Sequence, residues 1–221
     1  MSPDLAGERE NYDSTVLLEE NAPNEPFALF ETWLADAFAE KENGRLPEPT
    51  AMSLATVAVD GSGQAKPSVR IVLLKDFSRE GFTFYTNYES RKAGELAGEP
   101  HAALAFHWAP LFRQVRVEGI VEKVDRADSE AYFAVRPRGS QLGAWASPQS
   151  RPVDSAQVLT SAYELTEEHW EGKDVPCPPH WGGYRVLPTA IEFWQGRPSR
   201  MHDRLRYELS GDRWQRTRLA P

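Results

Sequence analysis

Positive charges in this chain collect at the ends of apolar segments, although the chain as a whole is acidic. Arg70 and Lys75 bracket the run RIVLLK, and Arg91 and Lys92 directly follow Ser90 at an expected helix start. Cations are unfavourable at a helix start by about 0.3–1 kcal/mol, because the exposed backbone N–H groups there already carry partial positive charge. Those same N–H groups receive an anion well. Cations beside a helix start therefore suit a phosphate; two solvated surface charges are the plainer reading. A second group lies in YFAVRPRGS, where Tyr132 and Arg136 are four residues apart on one expected helix face and Ser140 follows in a loop. Two hydroxyls and a guanidinium make a second phosphate grip. A packed tyrosine with an exposed arginine at the helix end is the alternative. A third group lies in EFWQGRPSRMHDR. Arg200 and His202 alternate on an expected extended stretch and would share a face, with Arg204 joining them if the extension continues. Cationic neighbours disfavour the charged imidazole, so His202 is expected to be neutral near pH 7.

Other chemistries find less support. Trp108, Trp145, Trp181 and Trp194 sit among these groups and would cover a flat heterocycle, although most tryptophans are core. There is no GxSxG, no GxGxxG after a strand and no GxxxxGK[ST], so nucleophile-elbow, dinucleotide and P-loop readings fail. Cys177 stands between prolines with no adjacent histidine and reads as inert. One cysteine and five scattered histidines make a metal a poor expectation.

The elements that must hold these groups follow from patterning. The chain has 221 residues, 40% of them hydrophobic, enough for one large domain or two small ones. A net charge of -8 argues against a general nucleic-acid binder. No stretch reaches the roughly 20 apolar residues of a membrane span. The N-terminus has no apolar run, so a cytoplasmic protein is expected. Residues 1–24 read as a mobile arm and residues 25–221 as a single domain. Phe27, Phe30, Leu34, Ala37 and Phe38 recur at helical spacing, with Asn43-Gly44 closing the helix. Then come strands over 51–60, 68–75, 82–87, 101–108 and 113–124, with DGSG at 60–63 as a hairpin signal. A short helix follows Ser90, another spans 125–135, and a charged one spans 155–171. Residues 139–152 read as a Gly/Ser/Gln loop with a short helical piece. Two final strands, 184–195 and 205–218, include a hairpin at 210–212. About seven strands with three or four helices suggest a mainly β fold, an antiparallel barrel with peripheral helices.

Many ordered motifs then match one family. RIVLLK (70–75), FYTNYESRKAGEL (84–96), RQVRVEG (113–119), YFAVRPRGSQLGAWAS (132–147) with QS at 149–150, WGGYRV (181–186), EFWQG (192–196), RMHDR (200–204) and the terminal RLAP resemble the pyridoxamine 5′-phosphate oxidases, over roughly residues 49–221. The resemblance implies an FMN-binding split antiparallel β-barrel, a homodimer with FMN at the subunit interface, and no nucleic-acid or membrane partner. It implies oxidation of pyridoxamine or pyridoxine 5′-phosphate to pyridoxal 5′-phosphate, with O2 as acceptor, giving H2O2 and, from the amine, NH3. Arg70, Ile71, Val72, Leu73, Leu74, Lys75, Tyr85, Thr86, Arg91, Lys92, Gln114, Gln149, Ser150, Trp194 and Arg204 match the FMN set. Lys75, Tyr132, Arg136 and Ser140 match the grip on the substrate phosphate. Arg200 and His202 match the catalytic pair at the pyridine ring. The RxEY motif of the family's N-terminal arm, which folds over the substrate, is only half kept: Arg9 and Tyr12 correspond as substrate-binding residues, with Asn11 where the Glu would stand. Met201 replaces the usual Leu, a swap of similar volume. A sister flavin oxidase acting on a phenazine precursor shares the FMN residues, but not the four-residue phosphate grip. A non-catalytic flavin or pyridoxal-phosphate carrier could dispense with Arg200 or His202, and both are present.

Overall fold

The computed structural model describes residue 12 and residues 15–221. The strands are β1 (Ala51–Val59), β2 (Ala65–Leu73), β3 (Asp76–Ser78), β4 (Gly81–Asn87), β5 (His101–Trp108), β6 (Arg113–Lys123), β7 (Trp181–Gln195), β8 (Asp203–Ser210) and β9 (Arg213–Arg218). The helices are α1 (Pro26–Glu42), α2 (Arg91–Gly98), α3 (Arg126–Ala134), α4 (Arg138–Ala146) and α5 (Ala156–His169). Strands pair in the order β2-β1-β5-β6-β7-β4-β3, with β8 added to β7 and β9 to β8. The described chain divides into two compact units. One comprises the residues up to Met52, Leu104–Glu118 and Thr189–Pro221; the other comprises Ser53–Ala103 and Gly119–Pro188.

In the first unit α1 has Pro26 in its first turn, where a missing N–H costs nothing. It buries Phe27, Phe30, Trp33, Leu34 and Ala37. Phe30 meets Phe106 at 5.1 Å and Trp33 meets Phe193 edge-on at 5.2 Å. Phe38, expected on the apolar face, is 41% exposed; the buried stripe turns through Trp33 instead. Residues 17–23 are held rather than loose. Leu17 is buried, its N–H donates to Asp203 Oδ2 at 3.1 Å, and the Tyr207 hydroxyl donates to the Pro23 carbonyl at 2.8 Å. Arg218 Nε donates to Glu19 Oε1 at 2.6 Å. The C-terminal half of β7 pairs with β8, Trp194 opposite Arg204. The expected last strand is a hairpin of two, β8 and β9, turning between Ser210 and Arg213.

In the second unit β4 pairs with the start of β7, Tyr85 opposite Gly183 and Thr86 opposite Gly182. Side chains crowd both glycines. A Cβ on Gly183 would lie 2.6 Å from Val124 Cγ2 and 2.8 Å from Tyr85 Cε1. Within 139–152, expected as a loop with a short helical piece, the helix α4 takes up the residues as far as Ala146. Two glycines lower its propensity, but tertiary contacts override that. Leu142 is buried beside Phe133 and Trp181, and Trp145 Nε1 donates to the Pro176 carbonyl at 2.8 Å. The segment 68–75 is not one strand either. β2 ends at Leu73, and the Lys75 N–H donates to the Thr83 carbonyl at 2.9 Å. No helix among the described residues is long and apolar enough to cross a membrane.

Candidate functional site

A cavity of about 840 Å³ opens in the second unit. Arg70, Lys75, Arg91, Lys92 and Arg136 line it, and no Asp or Glu among the described residues does. Five cations without a carboxylate, in a chain of net charge -8, make this an anion site. Its volume lies in the usual range for small-ligand pockets.

The elements deliver these groups from several directions. β2 carries Arg70, Ile71, Val72 and Leu73 along one wall, and β4 supplies Tyr85 and Thr86. Leu74 is buried and does not line the cavity. The first turn of α2 supplies Arg91 and Lys92. Ser90 occupies the N-cap position with extended dihedrals, but its hydroxyl does not cap the helix; it donates to the Asn87 carbonyl at 2.7 Å. Lys92 is buried and its Nζ donates to Thr86 Oγ1 at 2.9 Å and Gln149 Oε1 at 3.4 Å. Burial and the nearby Arg70 charge push its pKa below the usual lysine value. Gln149 and Ser150 follow α4, Ser150 in the left-handed region at φ 70°.

Three aromatic rings form a layered wall. Tyr85 stacks on Tyr132 at 4.1 Å and on Trp181 at 5.4 Å, with interplanar angles of 20° and 11°. The Arg136 guanidinium lies over Trp181 at 4.5 Å from the ring centroid. Its Nη1 is buried without a hydrogen-bond partner among the described residues, and burial pushes the Arg136 pKa down. A charged donor left unpaired in this way awaits an anion. Arg136 is not on the helix of Tyr132, as its spacing suggested. α3 ends at Ala134, and Arg136 N–H closes a turn onto the Phe133 carbonyl at 3.2 Å. Ser140 lies within α4 rather than in a loop. Tyr132, Arg136, Ser140 and Lys75 nevertheless line the one cavity.

The remaining expected residues belong to the first unit. Gln114 is on β6, Trp194 on β7 and Arg204 on β8. Arg204 Nε donates to the buried Glu192 Oε1 at 2.9 Å. Arg200 and His202 do not alternate on an extended stretch. A 3₁₀ turn spans Pro198–Arg200, with Ser199 and Arg200 both left-handed at φ 57° and 60°. The chain reverses there before β8, so Arg200 and Arg204 share no strand face. His202 Nδ1 accepts the Arg197 backbone N–H at 3.1 Å, which fixes a neutral ring with its proton on Nε2. Burial first, then the Arg200 charge, holds its pKa below the ordinary 6.5. Tyr12 packs on this ring at 5.6 Å and on Phe112 at 4.9 Å. Arg9 lies outside the described residues.

Patterning passed over some groups that count. Ser68 and Ser147 also line the cavity, and Glu95 stands behind it. Glu95 had one sequence signal, its place four residues after Arg91 on a helix.

Known proteins match nearly the whole chain. The profile of the family described as pyridoxamine 5′-phosphate oxidase matches residues 38–170. The chain belongs to the pyridoxamine 5′-phosphate oxidase family. The pyridoxine 5′-phosphate oxidase C-terminal dimerisation region matches residues 181–221. A pyridoxine/pyridoxamine 5′-phosphate oxidase of Thermosynechococcus vestitus is 54% identical over 217 residues, 98% of this chain and 99% of that protein. One of Cupriavidus metallidurans is 54% identical over 218 residues, 98% of this chain and 99% of that protein. Among solved structures, PhzG from Burkholderia lata 383, in complex with tetrahydrophenazine-1-carboxylic acid, is similar at TM-score 0.83. It is 28% identical, covering 94% of this chain and 99% of that one. An FMN-binding, pyridoxamine 5′-phosphate oxidase-related protein of Nostoc punctiforme shares the fold at TM-score 0.65 and 18% identity, over 85% of this chain and 95% of that one. The mainly antiparallel sheet with its five helices is the split-barrel flavin-binding fold of this family.

Proposed function

We propose that the chain is an FMN-dependent oxidase that converts pyridoxamine and pyridoxine 5′-phosphates to pyridoxal 5′-phosphate with O2. It acts as a homodimer in the cytoplasm, with FMN at the subunit interface and residues 25–221 serving as one oxidase domain. The observation that carries this reading is the cavity that, among the described residues, has five cations and no carboxylate, with Arg136 Nη1 buried and unpartnered. One phosphate would not occupy cations spread over β2, α2 and the α3–α4 turn; two phosphorylated ligands would.

The residues fit FMN. Arg91 and Lys92 would hold its phosphate, with Arg70, Thr86, Gln149 and Ser150 beside them. Ile71, Val72, Leu73 and Tyr85 offer apolar and flat surface to the ring system; Gln114, Trp194 and Arg204, in the first unit, match the family's remaining FMN residues. When bound, FMN supplies the hydride acceptor and the route for electrons to O2. The protein's own contribution is orientation and charge. Lys75, Tyr132, Arg136 and Ser140 grip the substrate phosphate and so set the height of the pyridine ring. Arg200 orients that ring and stabilises negative charge developing on the oxygen or nitrogen at C4′. His202 donates a hydrogen bond from Nε2, because its Nδ1 is already accepting.

The likeness to PhzG favours a second reading, oxidation of a phenazine precursor. The four-residue phosphate grip weighs against it. The deciding test gives FMN-loaded protein each phosphorylated B6 vitamer, unphosphorylated pyridoxine and a reduced phenazine carboxylate. Pyridoxal 5′-phosphate and peroxide in equal amounts from both phosphates, with poor turnover of the others, is the expected result. Turnover of the phenazine alone would replace the reading with the second one.

A further inference from the structure

One buried carboxylate stands directly behind the cations of the cavity. Glu95 lies on α2 and is 6% exposed. Its Oε2 accepts from Thr56 Oγ1 at 2.5 Å, Ser68 Oγ at 2.7 Å and Arg70 Nη2 at 2.9 Å, and its Oε1 accepts from Arg91 Nε at 2.8 Å. The two hydroxyls that donate to Glu95 also accept from Arg70, Ser68 at 2.6 Å from Nη2 and Thr56 from Nη1. Residues from β1, β2 and α2 thus converge on a single carboxylate. Burial alone would raise its pKa, but the hydrogen bonds from Thr56, Ser68, Arg91 and Arg70 outweigh burial and hold it at about 2. It is therefore ionised throughout the physiological range.

Two effects of this charge oppose each other. It adds one negative charge to the field of Arg70, Arg91 and Lys92, which weakens attraction for an anion. It also fixes two long guanidinium side chains that would otherwise be ordered only on binding. Arg91 shows the second effect most clearly. Its side chain is 65% exposed, yet its Nε is tied to Glu95, so the remaining face of the guanidinium is directed rather than free to wander. Even with Glu95 ionised, the three cations leave the site positive.

We propose that Glu95 is a positioning residue that presets Arg91 and Arg70 as a cradle for the flavin phosphate. This rests on the reading that Arg91 and Lys92 hold the FMN phosphate. The proposal predicts selectivity: losing Glu95 should hurt a flavin with a phosphate and spare one without it.

The test compares FMN with riboflavin, titrated into full-length apoprotein and followed by quenching of flavin fluorescence. Glu95→Gln keeps the shape and removes the charge. It should weaken FMN by about tenfold or more and leave riboflavin within about twofold. Glu95→Asp keeps the charge but is one methylene shorter, so it should give a smaller loss with the same selectivity. Equal affinity of the unaltered protein for FMN and riboflavin would remove the phosphate reading itself. A strong wild-type preference for FMN that Glu95→Gln retains would leave that reading standing and overturn the role of Glu95. So would equal loss of both flavins, or tighter FMN binding. If Glu95→Gln does not fold, the FMN-to-riboflavin ratio of Glu95→Asp decides in the same way. Failure of both to fold assigns Glu95 to stability alone and overturns the proposal.

Discussion

Replacing Arg136 by Met should separate binding from stability. The guanidinium lies over Trp181 at 4.5 Å and Phe133 at 5.4 Å, and its Nη1 is buried with no partner. Methionine keeps an apolar stem against the two rings and deletes the charge. The lost cation–π contacts are worth about 0.5–2 kcal/mol. Against that, the variant no longer buries an unpaired charged donor, a cost of about 1–3 kcal/mol or more. The two nearly cancel, so the melting temperature of the ligand-free protein should move by no more than about 4 °C in either direction. Substrate binding has no such compensation. One hydrogen bond from a guanidinium to phosphate is worth about 1.5–3 kcal/mol, which is a rise of roughly 10–150-fold in KM for pyridoxine 5′-phosphate. kcat should change much less, because the phosphate contact is made equally in the ground and transition states. The assay is steady-state turnover, together with inhibition by 4-deoxypyridoxine with and without its 5′-phosphate. Only the phosphorylated inhibitor should weaken. An unchanged KM, or equal weakening of both inhibitors, would refute the assignment of Arg136 to the phosphate.

Three further outcomes follow from the same structure. His202 should titrate below 6.5 in a ring-proton NMR titration of the holoenzyme, since burial and Arg200 disfavour its charge; the neutral ring then adds stability above that pH, which is lost as pH falls through the lowered value, and a midpoint at or above 6.5 would contradict it. Gly183→Ala should push Tyr85 out of its stack, because the new Cβ would sit 2.8 Å from the ring, lowering stability by about 1–3 kcal/mol and weakening flavin binding; unchanged melting and flavin affinity would count against the stacked wall. Glu192→Ala should strand Arg204, now 2.9 Å from that carboxylate, and Arg116 beside it at 3.7 Å. Removing one partner of a buried pair costs about 3–5 kcal/mol, and the part-exposure of both arginines reduces this to about 2–3 kcal/mol, read as a fall in melting temperature.

Much of the site was legible where the chemistry is local. RIVLLK and SRK announce their cations within a few residues, and the structure brings Arg70, Lys75, Arg91 and Lys92 to one cavity. The group of Tyr132, Arg136 and Ser140 was also legible, but for a mistaken local reason. They do not share a helix face; a turn at Arg136 and the helix α4 bring them to the same wall. The stretch around His202 misled because nothing in ordinary residue preferences places Ser199 and Arg200 in the left-handed region. Glu95 was the hardest to see. Its partners Thr56 and Ser68 lie on strands distant in sequence, and only the pairing of the sheet makes one buried carboxylate the anchor of two arginines. Leu74 shows the converse: it sits inside a matching motif, yet it is buried and off the cavity.

In the proposed function this anion cavity holds FMN, and a phosphorylated B6 vitamer is oxidised there. The most direct test is an anaerobic titration of FMN-loaded protein with pyridoxine 5′-phosphate, following the flavin absorbance. The expected result is bleaching in proportion to added substrate, reversed by air, with pyridoxal 5′-phosphate formed in the same amount. Flavin that binds but stays oxidised, with pyridoxine 5′-phosphate and then with pyridoxamine 5′-phosphate, would contradict the account.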